Sequence, residues 1–201
     1  MEKQEFLELL SAHHSQISAI ERCACRIHSD VNQKYDGDLP YGFHLRLAAS
    51  YLTKYGYLEL EDSSELETLY AGVYFHDSME DARMTYNDVI STFEELNRNY
   101  GCDIHVVDAA EMVYALTNDK GRTRSERAGE AYYAGIRNTP HAPFLKMCDR
   151  LANVRYTTLM YVGHHMAHVY KREMPHFLES ITQGAKTGVP QVMIEELTGL
   201  L

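Results

Sequence analysis

Apolar positions recur at helical rather than strand spacing along most of the chain. From Glu5 to Ser29 they fall at Phe6, Leu9, Leu10, Ile17, Ile20, Ala24 and Ile27, which predicts one long amphipathic helix. The segment YDGDLPYG, rich in Asp, Gly and Pro, reads as a connection. A second run opens near Tyr41 or Phe43, continues through Leu45, Leu47, Ala48, Leu52 and Tyr55, and is expected to stop at Gly56. Ser64, with Glu67 three residues on, has the capping-box spacing for a helix carrying Leu66, Leu69, Tyr70, Val73, Tyr74 and Phe75. Thr85 and Asp88 repeat that signature ahead of Val89, Ile90, Phe93 and Leu96, with the stop before Gly101.

A further run starts at Asp103 or His105 and passes through Ala109, Met112, Val113 and Leu116 before the polar stretch TNDKGRTRSE breaks it. A helix is predicted around Ala128 to Ile136, then a long apolar pattern from Phe144 into Val162. The last substantial helix is expected from His164 to Ile181, kinked or interrupted near Pro175. Only GYLEL and CDIHVV resemble strands, and both are short. The pattern therefore predicts an all-α bundle of about seven to nine helices in one domain of 201 residues, with no substantial sheet.

Charge narrows the partners. Nineteen basic against 29 acidic residues leave a formal net charge of -10, poorly suited to a nucleic acid backbone or an anionic membrane. A small phosphorylated substrate stays compatible, because a bound divalent ion reverses the local field. No apolar run approaches the roughly 18 residues that span a bilayer, and MEKQEFLELL lacks a signal-peptide pattern, so a cytoplasmic location is expected. Cys23, Cys25, Cys102 and Cys148 fit no zinc-knuckle or CxxC spacing and read as free thiols.

Three stretches carry candidate chemistry. In YFHDSMEDARMT, His76 and Asp77 are adjacent, Glu80 lies four residues after His76, and Asp81 four after Asp77. Buried together, a histidine and three carboxylates cost several kcal/mol, which a divalent cation offsets; left in solvent, they are an acidic helix end. In FLKMCDRLANVRYTTLM, Asp149, Arg150, Asn153 and Arg155 interrupt a core pattern, and Asp149 can equally pair with one of the arginines. In LPYGFHLRLAASYL, His44 sits in the first turns of an apolar helix, where a lone histidine can also be a satisfied core residue.

Taken in order, RIHSDVNQKYDGDLPYGFH, HDSMEDARMT and LKMCDRLANVR resemble the HD-domain metal-dependent phosphohydrolases. They are most similar to the (p)ppGpp hydrolase branch, which comprises the hydrolase domain of bifunctional alarmone synthetase-hydrolases and the small stand-alone alarmone hydrolases. The resemblance runs from about Cys23 to Tyr156. It departs at Ala152, where the family has the histidine of DRLHN, at Ala82, where a threonine follows the ED pair, and at Lys34-Tyr35, where a basic pair is usual.

The resemblance implies one divalent ion, usually manganese, held by His44, His76, Asp77 and Asp149; the same donor types also suit Fe²⁺ or Zn²⁺. It implies Glu80 and Asp81 as the catalytic acidic pair and Asn153 as a hydrogen-bond partner of a ligand or phosphate. Lys34, Tyr35, Arg122 and Arg124 are the implied substrate contacts, with Lys120, Arg127 and Arg150 as further cations and Tyr41 as a second base-stacking candidate. The activity implied is hydrolysis of the 3′-pyrophosphate of (p)ppGpp to GDP or GTP and pyrophosphate. The departures keep two alternatives open: another nucleotide substrate (a nucleoside monophosphate or NADPH), or a catalytically silent nucleotide-binding protein. His164, His165 and His168 are read as structural or surface residues. The Tyr- and Met-rich helices after residue 155 are compatible with a homo-oligomer.

Overall fold

The helix expected from Glu5 to Ser29 is two helices, α1 (Lys3–Ala12) and α2 (His14–Asp30), divided at His13. His13 is drawn out of helical geometry at a buried partner, its Nδ1 lying 2.6 Å from Glu67 Oε1. The computed structural model describes residues 1–118, 122–160 and 164–201. Among them the only sheet is a hairpin of β1 (Lys34–Tyr35) and β2 (Leu39–Pro40), turned by Asp36 and Gly37 at positive φ.

Helix α3 (Gly42–Glu59) runs past the expected stop at Gly56. A Cβ on Gly56 would stand 2.6 Å from Phe6 Cζ, so this glycine admits α1 against α3 rather than ending the helix. Helix α4 (Leu66–Phe75) is buried at every position. It is entered through a 3₁₀ turn, Ser63–Glu65, capped by Asp62. The expected Ser64–Glu67 box does not form, because Glu67 is turned into the core, where it pairs with His13 and accepts the Asp103 N–H.

The Thr85–Asp88 capping box does open α5 (Tyr86–Tyr100), and Gly101 ends it at φ 65°. Then follow α6 (Val106–Leu116), the four-residue α7 (Arg124–Arg127), α8 (Glu130–Asn138) and α9 (Ala142–Arg155). Helix α9 continues into a π turn, Tyr156–Met160; Val162 lies outside the described residues. Helix α10 (His165–Thr182) passes through Pro175 without interruption, and α11 (Gln191–Leu200), absent from the sequence expectation, buries Met193 and Leu197.

All-helical architecture is thus correct. The number of helices exceeds nine because of the break at His13, the single turn α7 and the short α11. The two candidate strands are helix ends instead: Gly56–Leu60 closes α3, and Cys102–Val107 leads into α6. The four cysteines are free, and among the described residues no helix is long and apolar enough to cross a membrane. Helix α4 packs against α2, α3, α6 and α9, which makes it the axis of the core. Its last residue, Phe75, is fully buried, so the next residue leaves the helix from inside the protein.

Candidate metal centre

That next residue is His76. Its Nδ1 lies 2.7 Å from the Val73 carbonyl oxygen, so Nδ1–H donates there and the Nε2 lone pair is left facing the interior of the site. His44, from the first turn of α3, brings its own Nε2 to 3.2 Å from His76 Nε2. Asp77 Oδ2 lies 2.8 Å from His76 Nε2 and 3.4 Å from His44 Nε2. The ligand atoms of His44, His76 and Asp77 all fall within 4.8 Å of one another. Asp149, projecting from α9, places Oδ1 at 3.3 Å from His44 Nε2 and 3.7 Å from His76 Nε2.

Four electron-pair donors from three separate stretches of chain converge in a space where both histidines are buried. Burial pushes both imidazoles toward lower pKa, but hydrogen bonds and charge from Asp77 and Asp149 override it and hold both above the ordinary histidine value. Burial likewise raises the two carboxylates; His76 and His44 override it at Asp77, and Lys146 with the histidines overrides it at Asp149, so both lie well below the usual range. Such a site takes up positive charge, as protons or as a cation. Its imidazole and carboxylate donors fit a borderline divalent ion. His44, His76 and Asp77 can therefore coordinate a divalent metal.

Outer contacts orient most of the donors. Tyr41 Oη donates to Asp77 Oδ2 at 2.6 Å. Lys146 Nζ donates to Asp149 Oδ2 at 2.9 Å, and Asn153 Nδ2 donates to Asp149 Oδ1 at 2.6 Å. Tyr35 Oη donates to Asn153 Oδ1 at 2.9 Å, while its ring stacks on His44 with centroids 4.9 Å apart. Lys146, Asp149 and Asn153 share one face of α9 by their spacing of three and four residues, a signal that identifies Lys146 from sequence once Asp149 is suspected.

His28, one turn after Ala24 on the buried face of α2, is a further buried histidine. It stacks on Tyr41 at 4.5 Å with neither ring nitrogen hydrogen-bonded, and burial pushes its pKa down to about 4.

His44, Asp77 and Asp149 open onto a polar cavity of about 230 Å³. Glu80, Asp81, Arg124, Arg127, Arg150 and Asn153 contribute to its walls. Glu80 accepts from Asn118 Nδ2 at 2.8 Å, with Arg127 Nη1 3.9 Å away. Asp81 is partly buried; desolvation and the neighbouring Asp77 charge raise its pKa above the ordinary carboxylate value.

Of the substrate contacts implied by resemblance, Arg124 and Asn153 line this cavity, whereas Lys34, Tyr35 and Arg122 do not. Lys34 is exposed on β1, Tyr35 backs His44, and Arg122 is exposed ahead of α7; Lys120 lies outside the described residues. The alternative pairing of Asp149 with an arginine is replaced by Lys146, and Arg150 pairs instead with Glu173. Of the second histidine cluster, His164 sits 3.1 Å from Asp36, and His165 and His168 are exposed.

In comparison with known proteins, the chain matches no protein-family model and no curated protein. The geometry stands by itself: an all-helical protein with a buried His-His-Asp cluster of the HD type, suited to a divalent metal and to metal-dependent hydrolysis.

Proposed function

We propose that this protein is a metal-dependent phosphohydrolase of a phosphorylated small molecule, with His44, His76, Asp77 and Asp149 as the metal ligands. The observation that carries this reading is the convergence of those four donors, three of which (His44, Asp77 and Asp149) line a cavity whose walls hold Arg124, Arg127 and Arg150. When bound, a divalent ion supplies Lewis-acid polarisation of a phosphoryl oxygen and activation of a water.

The chain's own groups do the rest. The attacking water gives its proton to the acidic pair Glu80 and Asp81; burial and the neighbouring Asp77 charge raise the Asp81 pKa above the ordinary carboxylate value. Asn153 and Lys146 keep Asp149 turned toward the two imidazoles. The wall arginines balance phosphate charge.

Within this class the substrate indicated by the sequence resemblance is (p)ppGpp. Water would attack the phosphorus attached to the ribose 3′ oxygen, the bond from that phosphorus to the 3′ oxygen would break, and the 3′ oxygen would take up a proton in balance with the one the water gave up, leaving a 3′-hydroxyl and free pyrophosphate. A second reading, another nucleotide such as a nucleoside monophosphate or NADPH, is favoured by one observation. Tyr35 is committed to His44 and Asn153, and Lys34 faces solvent, so neither is presented to the cavity.

The test is metal content of wild type beside His76→Ala, followed by a panel of (p)ppGpp, nucleoside monophosphates and NADPH with phosphate and pyrophosphate release followed. Stoichiometric metal and metal-dependent release by wild type, both lost in His76→Ala, is the expected result. Full metal load and full activity in His76→Ala would overturn the assignment.

A further inference from the structure

Arg150 follows Asp149 on α9 but serves a different wall of the cavity. Its guanidinium carbon lies 4.8 Å from the Tyr170 ring centre and 4.2 Å from that of Phe177, and the residue is 8% exposed. Arg124, on α7, reaches the same Tyr170 ring at 5.5 Å. Both arginines then converge on one carboxylate. Arg124 donates from Nε to Glu173 Oε1 at 2.9 Å and from Nη2 to Oε2 at 3.1 Å, and Arg150 donates from Nη1 to Oε2 at 3.4 Å.

One carboxylate is shared between two guanidinium groups at this wall. Arg124, Arg150 and Tyr170 face the same cavity as His44, Asp77 and Asp149. A guanidinium fork accepts a phosphate in the geometry it uses for a carboxylate, and a doubly charged phosphate matches two guanidinium groups better than one carboxylate does. The Arg124–Glu173 pair is also partly solvated, with side chains 47% and 29% exposed, so solvent screening leaves it open to exchange. The aromatic faces of Tyr170 and Phe177 hold Arg150 in place independently of Glu173.

From this arrangement we propose that Arg124 and Arg150 form a second anion subsite, for a phosphate group of the substrate other than the one at the metal centre, with Glu173 as its built-in competitor. The nature of the ligand rests on the phosphohydrolase reading above; the subsite itself is testable without any metal. Glu173 thereby sets a threshold. A weakly charged group leaves the Glu173 contacts in place, and a multiply charged phosphate displaces them.

The experiment is calorimetric titration of inorganic pyrophosphate into the full chain in the presence of a chelator, for wild type, Glu173→Gln and Arg124→Gln. Glu173→Gln is expected to bind pyrophosphate about tenfold more tightly than wild type, and Arg124→Gln about tenfold more weakly. Unchanged or weaker binding by Glu173→Gln overturns the proposal, as does unchanged binding by Arg124→Gln. Should Glu173→Gln fail to fold, judged by circular dichroism, Glu173→Asp replaces it: the shorter side chain withdraws the carboxylate, and tighter binding is again required. If the binding pattern holds while every nucleotide resists hydrolysis, the phosphohydrolase reading falls and the subsite stands. If a nucleotide is hydrolysed but the binding pattern is absent, the subsite falls and the phosphohydrolase reading stands.

Discussion

Lys146 and Asp149 stand one helical turn apart on α9, and the lysine Nζ donates to Asp149 Oδ2 at 2.9 Å while Oδ1, which accepts from Asn153, faces the histidine pair. Burial lowers the lysine's pKa, but the Asp149 charge reverses this and keeps it protonated. The ammonium therefore both neutralises Asp149 and decides which carboxylate oxygen faces the donors. Lys146→Met should weaken Mn²⁺ or Zn²⁺ binding by about 10–100-fold, the range for loss of an outer contact to a metal ligand. A competition titration with a metal-binding dye measures it, and affinity equal to wild type would refute the positioning role.

Tyr41 does for Asp77 what Lys146 does for Asp149, through a neutral hydroxyl at 2.6 Å. Removing that hydroxyl costs less than removing a charge. Tyr41→Phe should weaken metal binding by about tenfold, at the low end of the range for such contacts, with the fold intact. Equal or greater loss than in Lys146→Met would contradict this ranking.

Metal binding must displace protons from a site that holds both histidines above their ordinary pKa. Acidification loads the free protein with protons that compete with the cation, so affinity falls as pH drops, and the fall begins above the ordinary histidine value. A decline is expected as pH is lowered from alkaline values through the ordinary histidine value, read from metal titrations at several pH values. Affinity that is flat over that window would place the cation elsewhere.

His28 acts in the opposite direction on the fold itself. Its folded pKa of about 4 lies below the unfolded value of 6.5, so between the two the unfolded chain binds the extra proton. Stability contributed by neutral His28 is present above about pH 6.5 and is lost as pH falls toward about pH 4, by up to about 3 kcal/mol. Urea melts of wild type and His28→Phe should diverge as pH falls, because the variant keeps the stack on Tyr41 and has no proton to gain. Parallel pH profiles would rule the mechanism out.

Gly56 carries a purely steric prediction. A methyl group there meets Phe6 Cζ at 2.6 Å, so Gly56→Ala must push α1 off α3. The intrinsic helix preference for alanine, about 1 kcal/mol, favours the variant, but overpacking of about 1–3 kcal/mol opposes it. Net destabilisation is expected by chemical melt, and in a Phe6→Ala background, which removes the ring and leaves Leu52 Cδ1 at 3.1 Å, the cost of Gly56→Ala should shrink.

Local rules reached far into this chain. The helical period marks α2 to α6 and α8 to α10, because those helices bury one face or more and their apolar residues must recur accordingly. The capping box at Thr85 and Asp88 was legible because both partners lie within one turn. Ser64 and Glu67 show the same spacing and fail, since Glu67 finds better partners in His13 and Asp103, both distant in sequence. The break at His13 and the role of Gly56 follow from the same kind of distant contact, with Glu67 and with Phe6.

The candidate site divides in the same way. The order of three motifs along the chain, through its resemblance to the HD-domain phosphohydrolases, set His44, His76, Asp77, Asp149, Glu80 and Asp81 together. Only the tertiary structure decided that the first four converge, that Tyr35 backs a histidine rather than facing the cavity, and that Glu173 lies between two arginines. Helical periodicity specifies which face of a helix is buried, but the partner across that face depends on packing between segments as far apart as Tyr35 and Asn153, and no local pattern encodes that distance.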